Sequence, residues 1–179
     1  MYVAAWLPWR LKMSIGKGLG LLAWRFAKRR RRITDTNIAL CFPEKSAEQQ
    51  RQLVKESFIA NGIGLIETAT GWCRNGEGLR HRVAYMGEEH MARAQARGKG
   101  VIIIGVHFSS LDLGGALHAL FFSADAVYRP HNNPLFERFM TRARGRNFGV
   151  AIDRYDLRGA VRQLKAGRMV WYSPDQDFG

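Results

Sequence analysis

The first place in this 179-residue chain where side-chain types and spacing could do chemistry is a histidine directly behind an apolar, β-branched run. The run is Val101-Ile102-Ile103-Ile104-Gly105-Val106, and His107-Phe108-Ser109-Ser110-Leu111-Asp112 follows it. In an open α/β sheet, ligands collect beyond the carboxyl ends of the strands. His107 would therefore lie in a crevice, and Asp112, in the first turn of a following helix, could fold back towards it. A carboxylate on one ring nitrogen sets the tautomer and supports charge on the ring. The other nitrogen is then free to take a proton from a hydroxyl. Such a pair is the base and orienter of a triad whose nucleophile comes from the substrate. A plainer reading stands beside it: Asp112 is also what the positive end of a helix favours in its first turn. Ser109 and Ser110 lack a Gly-x-Ser-x-Gly elbow and read as helix caps. No third ligand at recognisable spacing accompanies His107, which argues against a metal site.

The elements that must position these residues follow from periodicity. Length and composition, with 46% hydrophobic and 24% charged residues, suit one ordinary domain with room for an appendage. The run at 101–106 is short, continuous and β-branched, which predicts a strand buried on both faces of a parallel sheet. Residues 109–121 read as a helix, Ala126-Val127-Tyr128 as a strand, and Pro134 as the start of a helix through Arg146. Val150-Ala151-Ile152 is a third strand, Asp156 caps a helix ended by Gly167, and Met169-Val170-Trp171-Tyr172 is a fourth strand. Strand and helix thus alternate, so right-handed crossovers and a mostly parallel sheet are expected.

Helices precede this sheet. Leu11, Ile15, Leu19, Leu22 and Phe26 recur at three- and four-residue spacing, predicting an amphipathic helix over 11–30. A break at Cys41-Phe42-Pro43-Glu44 is followed by a capping box, Ser46 with Gln49, and a helix over 47–72. Its Gly62, Gly64 and Gly71 make a bend or an early end conceivable. Residues 74–98 read as a polar connector with a short helix at 88–96. Cys41 and Cys73 have no disulfide or zinc spacing and read as reduced thiols.

Charge narrows the partners. The formal net charge is +13. Residues 1–34 hold Arg10, Lys12, Lys17, Arg25, Lys28 and Arg29 to Arg32 with no acid, while the remainder is close to balanced. A basic block among Trp6, Trp9 and Trp24 suits an anionic membrane surface. It would also suit nucleic acid, or be a solvated face. No stretch approaches the roughly 18 apolar residues of a spanning helix, and Met1 to Trp9 is neither a secretory signal nor a complete span.

Four strings in order resemble one family, the late acyltransferases of lipid A biosynthesis (lauroyl and myristoyl transferases). They are Asn37-Ile38-Ala39-Leu40-Cys41-Phe42-Pro43-Glu44, Gly105 through Gly114 around His107-x-x-x-x-Asp112, Val127-Tyr128-Arg129-Pro130-His131-Asn132-Asn133-Pro134-Leu135, and Val170-Trp171-Tyr172-Ser173-Pro174-Asp175-Gln176-Asp177-Phe178-Gly179. The resemblance implies an α/β sheet of the glycerolipid-acyltransferase type. It implies transfer of an acyl chain from acyl carrier protein to a hydroxyl of a Kdo-bearing lipid A precursor. The partners would be the carrier protein, that precursor and an anionic membrane surface, at the cytoplasmic face of the inner membrane. No nucleic acid, cofactor or metal is implied.

In that reading His107 is the base and Asp112 its acidic partner, a position often occupied by Glu in the family. Arg129, Arg144 and Asp175 match polar residues around the family's active site. The arginines are assigned to acceptor phosphates or to the thioester oxygen, which suit a permanently charged fork of donors. Arg144 shares its helix with Arg138, Arg142 and Arg146, which together would also make a basic face. Asp175 with Asp177 would organise the arginines or cap the next loop. Other membrane glycolipids or lysophospholipids are alternative acceptors, and an inactive membrane-associated fragment is a further alternative. The resemblance divides the chain into a basic, membrane-proximal segment, 1–45, and the N-terminal part of an acyltransferase domain, 46–179. The family's spanning helix would be represented only by its distal end at Met1–Leu7, and the family continues beyond Gly179. The sheet is therefore expected to be incomplete.

Overall fold

Residues 1–74 and 76–175 are described in a computed structural model of the chain, which falls into two compact units, Met1–Thr70 and Gly71–Gly179. The segment 1–45 lies wholly within the first of them.

The first unit is helical. It holds α1 (Tyr2–Trp6), α2 (Trp9–Phe26), α3 (Lys28–Cys41) and α4 (Ala47–Cys73), the last three residues of which belong to the second unit. The expected helix over 11–30 is in fact two. Ala27, at φ −82 and ψ 63, breaks the chain between α2 and α3, and the basic run 28–32 opens a separate helix that buries no residue. The capping box forms: the Gln49 backbone N–H donates to Ser46 Oγ at 3.3 Å, and the Ser46 N–H donates to Gln49 Oε1 at 2.9 Å. The helix that follows is continuous through its glycines because tertiary contact supplies what propensity withholds. A Cβ on Gly62 would stand 2.7 Å from Gly20 Cα, and one on Gly16 would stand 2.7 Å from Ile63 Cα. The two backbones meet where side chains are absent.

This close approach decides which face of α2 is covered. Its buried residues are Lys12, Gly16 and Gly20. Lys12 donates from Nζ to the Ala5 carbonyl at 2.6 Å and to Thr70 Oγ1 at 3.2 Å. The apolar stripe of Leu11, Ile15, Leu19, Leu22 and Phe26 is exposed, up to 71% at Phe26. Trp24 is held between two cations, with Arg31 and Lys55 each 5.7 Å from the ring centroid. No helix among the described residues is long and apolar enough to cross a membrane.

The second unit contains a 3₁₀ segment (Gly76–Arg82), α5 (Glu88–Gln95) and then alternating strands and helices: β1 (Val101–Ile104), α6 (Leu111–His118), β2 (Ala124–Tyr128), α7 (Pro134–Arg144), β3 (Ala151–Asp153), α8 (Leu157–Lys165) and β4 (Met169–Tyr172). The four strands form one all-parallel sheet in the order β1-β4-β2-β3. The protein is thus α/β with a small parallel sheet, as its sequence predicts.

Local signals act where expected. Asn133 Oδ1 accepts from the N–H groups of Leu135 and Phe136 ahead of Pro134, and Asp156 Oδ1 accepts from the Gly159 N–H. Gly167 ends the following segment at φ +77. At the amino-terminal side of the sheet, fully buried Asp125 accepts from Arg168 Nε at 2.6 Å and from the Val150 N–H at 2.7 Å.

A second expectation is overturned. β1 is not buried on both faces: Ile102 is 55% and Ile104 63% exposed, alternating with covered neighbours. β1 stands at the end of the strand order, paired with β4 alone among the described strands, and the face that carries Ile102 and Ile104 is left open. A continuous apolar run reports hydrophobicity but does not distinguish a central from an edge strand.

Candidate active site

In a parallel sheet every strand points the same way, so the residues just past each strand arrive at one edge. Here β1 leads to His107, β4 to Asp175, β2 to Arg129 and β3 to Arg154. The strand order sets the sequence along that edge as His107, Asp175, Arg129 and Arg154. Beneath them lies a cavity of about 740 Å³ lined by His107, Asp112, Arg129, Arg144 and Arg154, with apolar wall from Leu111, Met140, Phe148 and Trp171.

The imidazole is held by Asp175. His107 Nδ1 lies 2.6 Å from Asp175 Oδ1, and the His107 backbone N–H donates to Asp175 Oδ2 at 2.7 Å. Both contacts favour the charged carboxylate, so the Asp175 carboxyl is held below its ordinary range, with the backbone N–H of His107 the leading cause. An ionised carboxylate only accepts, which makes Nδ1 the protonated nitrogen and leaves Nε2 with its lone pair. Among the described residues Nε2 has no hydrogen-bond partner. The His107 and Asp175 side chains are 31% and 33% exposed, so the ring remains reachable.

Asp112 occupies the same cavity with a different partner. Its Oδ1 accepts from Arg144 Nε at 3.0 Å and from Nη2 at 2.9 Å. The contact expected between Asp112 and the imidazole is therefore replaced by two separate pairs, His107 with Asp175 and Asp112 with Arg144. Each has a topological origin. β4 lies beside β1, which brings a residue 68 positions away onto the ring. Asp112 stands in the first turn of α6 and faces the last turn of α7, where Arg144 sits.

Arg144 is further set by Trp72, whose ring centroid is 5.7 Å from the guanidinium carbon. Trp72 is itself packed at 5.7 Å by Phe136 and 5.8 Å by Phe139. The α4 turn carrying it is close to α6, since a Cβ on Gly71 would stand 2.8 Å from the Asp112 carbonyl oxygen. Arg144 thus lines the cavity with its guanidinium paired to Asp112 and set against Trp72.

Arg129 is exposed and lines the cavity at the carboxyl end of β2. The loop behind it is fastened by Glu137, which accepts from Tyr128 Oη at 3.0 Å, from Thr141 Oγ1 at 2.8 Å and from the His131 N–H at 2.6 Å. These bonds, the one from the His131 N–H first, hold the Glu137 carboxyl below its usual range. Asp177, expected beside Asp175, lies outside the described residues.

Sequence reasoning missed Trp72, Glu137 and Arg154. A usable signal existed only for Arg154, which follows a predicted strand as His107 and Arg129 do. No group of three or more His, Cys, Asp and Glu side chains able to hold a metal ion occurs among the described residues.

A parallel α/β sheet thus brings a carboxylate-held histidine and several guanidinium groups to one cavity, an arrangement whose groups are able to move a proton beside an anionic substrate. The profile of bacterial lipid A biosynthesis acyltransferases matches residues 1–179, and the chain belongs to that family. It is 37% identical over 179 residues to the lipid A biosynthesis lauroyltransferase of Escherichia coli, covering all of this chain and 58% of that protein. It is 41% identical over 173 residues to the palmitoleoyltransferase of the same organism, covering 97% of this chain and 56% of the relative. A lipid A biosynthesis acyltransferase of Haemophilus influenzae is 32% identical over 187 residues, covering 99% of this chain and 58% of its own length. The chain spans a little over half the length of these curated relatives.

Proposed function

We propose that the protein transfers a fatty acyl chain from acyl carrier protein to a hydroxyl of a Kdo-bearing lipid A precursor, with His107 as general base. The observation that carries this reading is the single imidazole with Nδ1 on a carboxylate, at the mouth of a cavity lined by three arginines. Family membership supplies the reaction class.

In the proposed reaction Nε2 takes the proton of the acceptor hydroxyl as its oxygen attacks the thioester carbonyl carbon. A C–O bond forms, the carbonyl electrons move onto oxygen, and their return expels the thiolate as the C–S bond breaks. The proton then passes from the imidazolium to sulfur, so the histidine ends as it began. Asp175 keeps the tautomer and balances the charge that develops on the ring. Arg144, oriented by Asp112 and Trp72, and Arg129 supply donors for the oxyanion or for acceptor phosphate. Asp112 in this account acts through Arg144.

The membrane enters through α2. Its exposed apolar stripe together with the basic run 28–32 suits an anionic bilayer surface. The inner membrane's cytoplasmic face, where acyl carrier protein is present, is the proposed location.

The test supplies membranes containing the protein with acyl carrier protein thioesters of several chain lengths and the Kdo-bearing precursor, and reads product by mass. Acylated precursor is expected, and His107→Ala should lower the rate by about 10²–10⁴. A folded His107→Ala protein with near-normal turnover would refute the base assignment. Product formed from lysophosphatidic acid alone would move the acceptor to the lysophospholipid class.

A further inference from the structure

One buried titratable side chain stands behind the cavity with no part in the proposed acyl transfer. His118, the last residue of α6, is 8% exposed. Its Nδ1 lies 3.1 Å from Tyr85 Oη, and its buried Nε2 has no hydrogen-bond partner among the described residues. Aromatic rings surround it. Phe122 is stacked at 5.8 Å, Tyr85 is tilted at 5.9 Å, and Trp171 meets it at 5.4 Å with the ring planes at 81°. Such edge-to-face contact is attractive, because the positive edge of one ring meets the negative face of the other.

Trp171 carries this contact to the cavity, which it lines together with His107. Phe148 meets the indole at 6.3 Å, and the indole Nε1 donates to Ser173 Oγ at 3.2 Å. A side chain on Gly105 would overlap both that nitrogen and the Ser173 hydroxyl. Gly105 stands two residues before His107, and Ser173 two before Asp175. The indole edge is therefore lodged between the segments that present the imidazole and its carboxylate. In a close-packed interior, displacing the indole shifts both.

We propose that His118 is a positioning residue: neutral, it wedges the Trp171 indole against the segments carrying His107 and Asp175, and protonated, it releases them. The surroundings supply the asymmetry. A neutral imidazole uses the Tyr85 hydroxyl and leaves one nitrogen open. An imidazolium donates from both nitrogens, and Nε2 meets no acceptor. An uncompensated charge there is costly, so the ring leaves its place or loses its proton. Nearby groups do not offset this. Of its partners Tyr85, Phe122 and Trp171, only Tyr85 titrates, and burial raises the pKa of that phenol and keeps it neutral. Further out, Glu88 acts on Tyr85, and Arg80 lies 5.5 Å from the Phe121 ring that packs on Tyr85. Burial lowers the pKa of His118 itself from 6.5. The link between His118 and the cavity wall holds whatever the reaction; its effect on turnover rests on the proposed function.

The experiment follows tryptophan emission of the full chain as pH falls from above to below 6.5. A transition with its midpoint below that value is expected. It should persist in His107→Gln, which places its origin away from the base, and vanish in His118→Phe and in Trp171→Phe. Acyl transfer by the same preparations gives a second readout. His118→Asn keeps a partner for Tyr85 but has no ring, and should lower kcat by about tenfold or more with little change in KM. His118→Phe restores a ring against the indole and should recover most of that loss, while removing the part of the acid limb that follows the emission change. The proposal is overturned if the transition is absent from the unaltered protein, is lost in His107→Gln, or survives His118→Phe or Trp171→Phe. Equal loss of kcat in His118→Asn and His118→Phe would overturn it too. Should His118→Asn fail to fold, the emission measurements decide alone. Absence of turnover in every preparation would count against the acyl-transfer reading and leave the emission measurements to decide this one.

Discussion

Exchanging Asp175 for asparagine changes one atom type at the point where the imidazole's tautomer is decided. In the native site one carboxylate oxygen accepts from the His107 N–H at 2.7 Å and the other meets Nδ1 at 2.6 Å. Asparagine has one oxygen and one amide to face the same two donors. With its oxygen on the backbone N–H, the amide meets Nδ1, which must then accept. The ring proton moves to Nε2 and the base is lost. With its oxygen on Nδ1, the amide faces the backbone N–H, donor against donor. That mismatch disfavours the productive arrangement. Loss of the carboxylate's charge opposite the developing imidazolium adds to this. The rate constant kcat should therefore fall by about 10²–10⁴ with little change in acceptor KM. The assay is steady-state acyl transfer beside thermal unfolding of the same preparation. Asp112→Asn is the comparison: it loosens Arg144 and should lower kcat by less than Asp175→Asn does. A folded Asp175→Asn protein within about threefold of the original kcat would defeat the argument, as would Asp112→Asn alone abolishing kcat. The pH dependence of stability has a definite sign. The Asp175 carboxyl lies below its ordinary value of 3.8 in the folded chain. Its contribution is complete above that value and is lost as pH falls through the folded one. Asp175→Asn should lower stability at neutral pH and change it little where the carboxyl is protonated in both states, which flattens the acid limb.

Three further expectations concern other parts of the molecule. Gly62→Ala puts a methyl 2.7 Å from Gly20 Cα and closer still to the Gly16 carbonyl oxygen, both backbone atoms, so it should destabilise by about 1–3 kcal/mol in urea unfolding. A neutral result would mean that α2 and α4 do not meet through their glycines. Leu19→Ser with Leu22→Ser should weaken partitioning onto anionic vesicles by about tenfold per residue while leaving the melting temperature unchanged, because both side chains are exposed. Equal partitioning would remove α2 from the membrane contact. His118 is buried beside Tyr85, Phe122 and Trp171, its Nε2 has no partner among the described residues, and burial pushes its pKa below 6.5. A base with a lowered folded pKa contributes stability above its unfolded value that is lost as pH falls below it. The second unit should therefore soften on acidification below about pH 6.5, and His118→Phe should remove that slope. A slope that survives the substitution would place its origin elsewhere.

What the sequence discloses depends on how far apart the determinants lie. The Ser46–Gln49 box, the Asn133–Pro134 helix start and the Asp156 cap are decided within a few residues, and each is legible. The parallel sheet is legible too, because alternation of strand and helix is itself a local pattern. The break at Ala27 is not: nothing in Phe26-Ala27-Lys28 announces a turn, and the backbone there carries neither glycine nor proline. The covered face of α2 is hidden for a different reason. Its leucines mark the hydrophobic side, but close backbone approach at Gly16, Gly20 and Gly62 buries the opposite one.

The same distinction governs the site. Asp112 suggests itself as His107's partner because it is five residues away. Asp175 is 68 residues away and reaches the ring only because β4, last in sequence, inserts between β1 and β2. Strand order is a global property, and no spacing within a single sequence encodes it. Had β4 been added outside β3, the same side chains would stand along the edge in a different sequence and His107 would have lost its carboxylate. The order observed separates the edge into two halves. His107 and Asp175, the proposed base and its orienter, occupy the β1–β4 side, and Arg129 and Arg154 occupy the β2–β3 side, with the Asp112–Arg144 pair from α6 and α7 in the same cavity. The crossover that places β4 beside β1 is therefore the structural step on which the proposed chemistry depends.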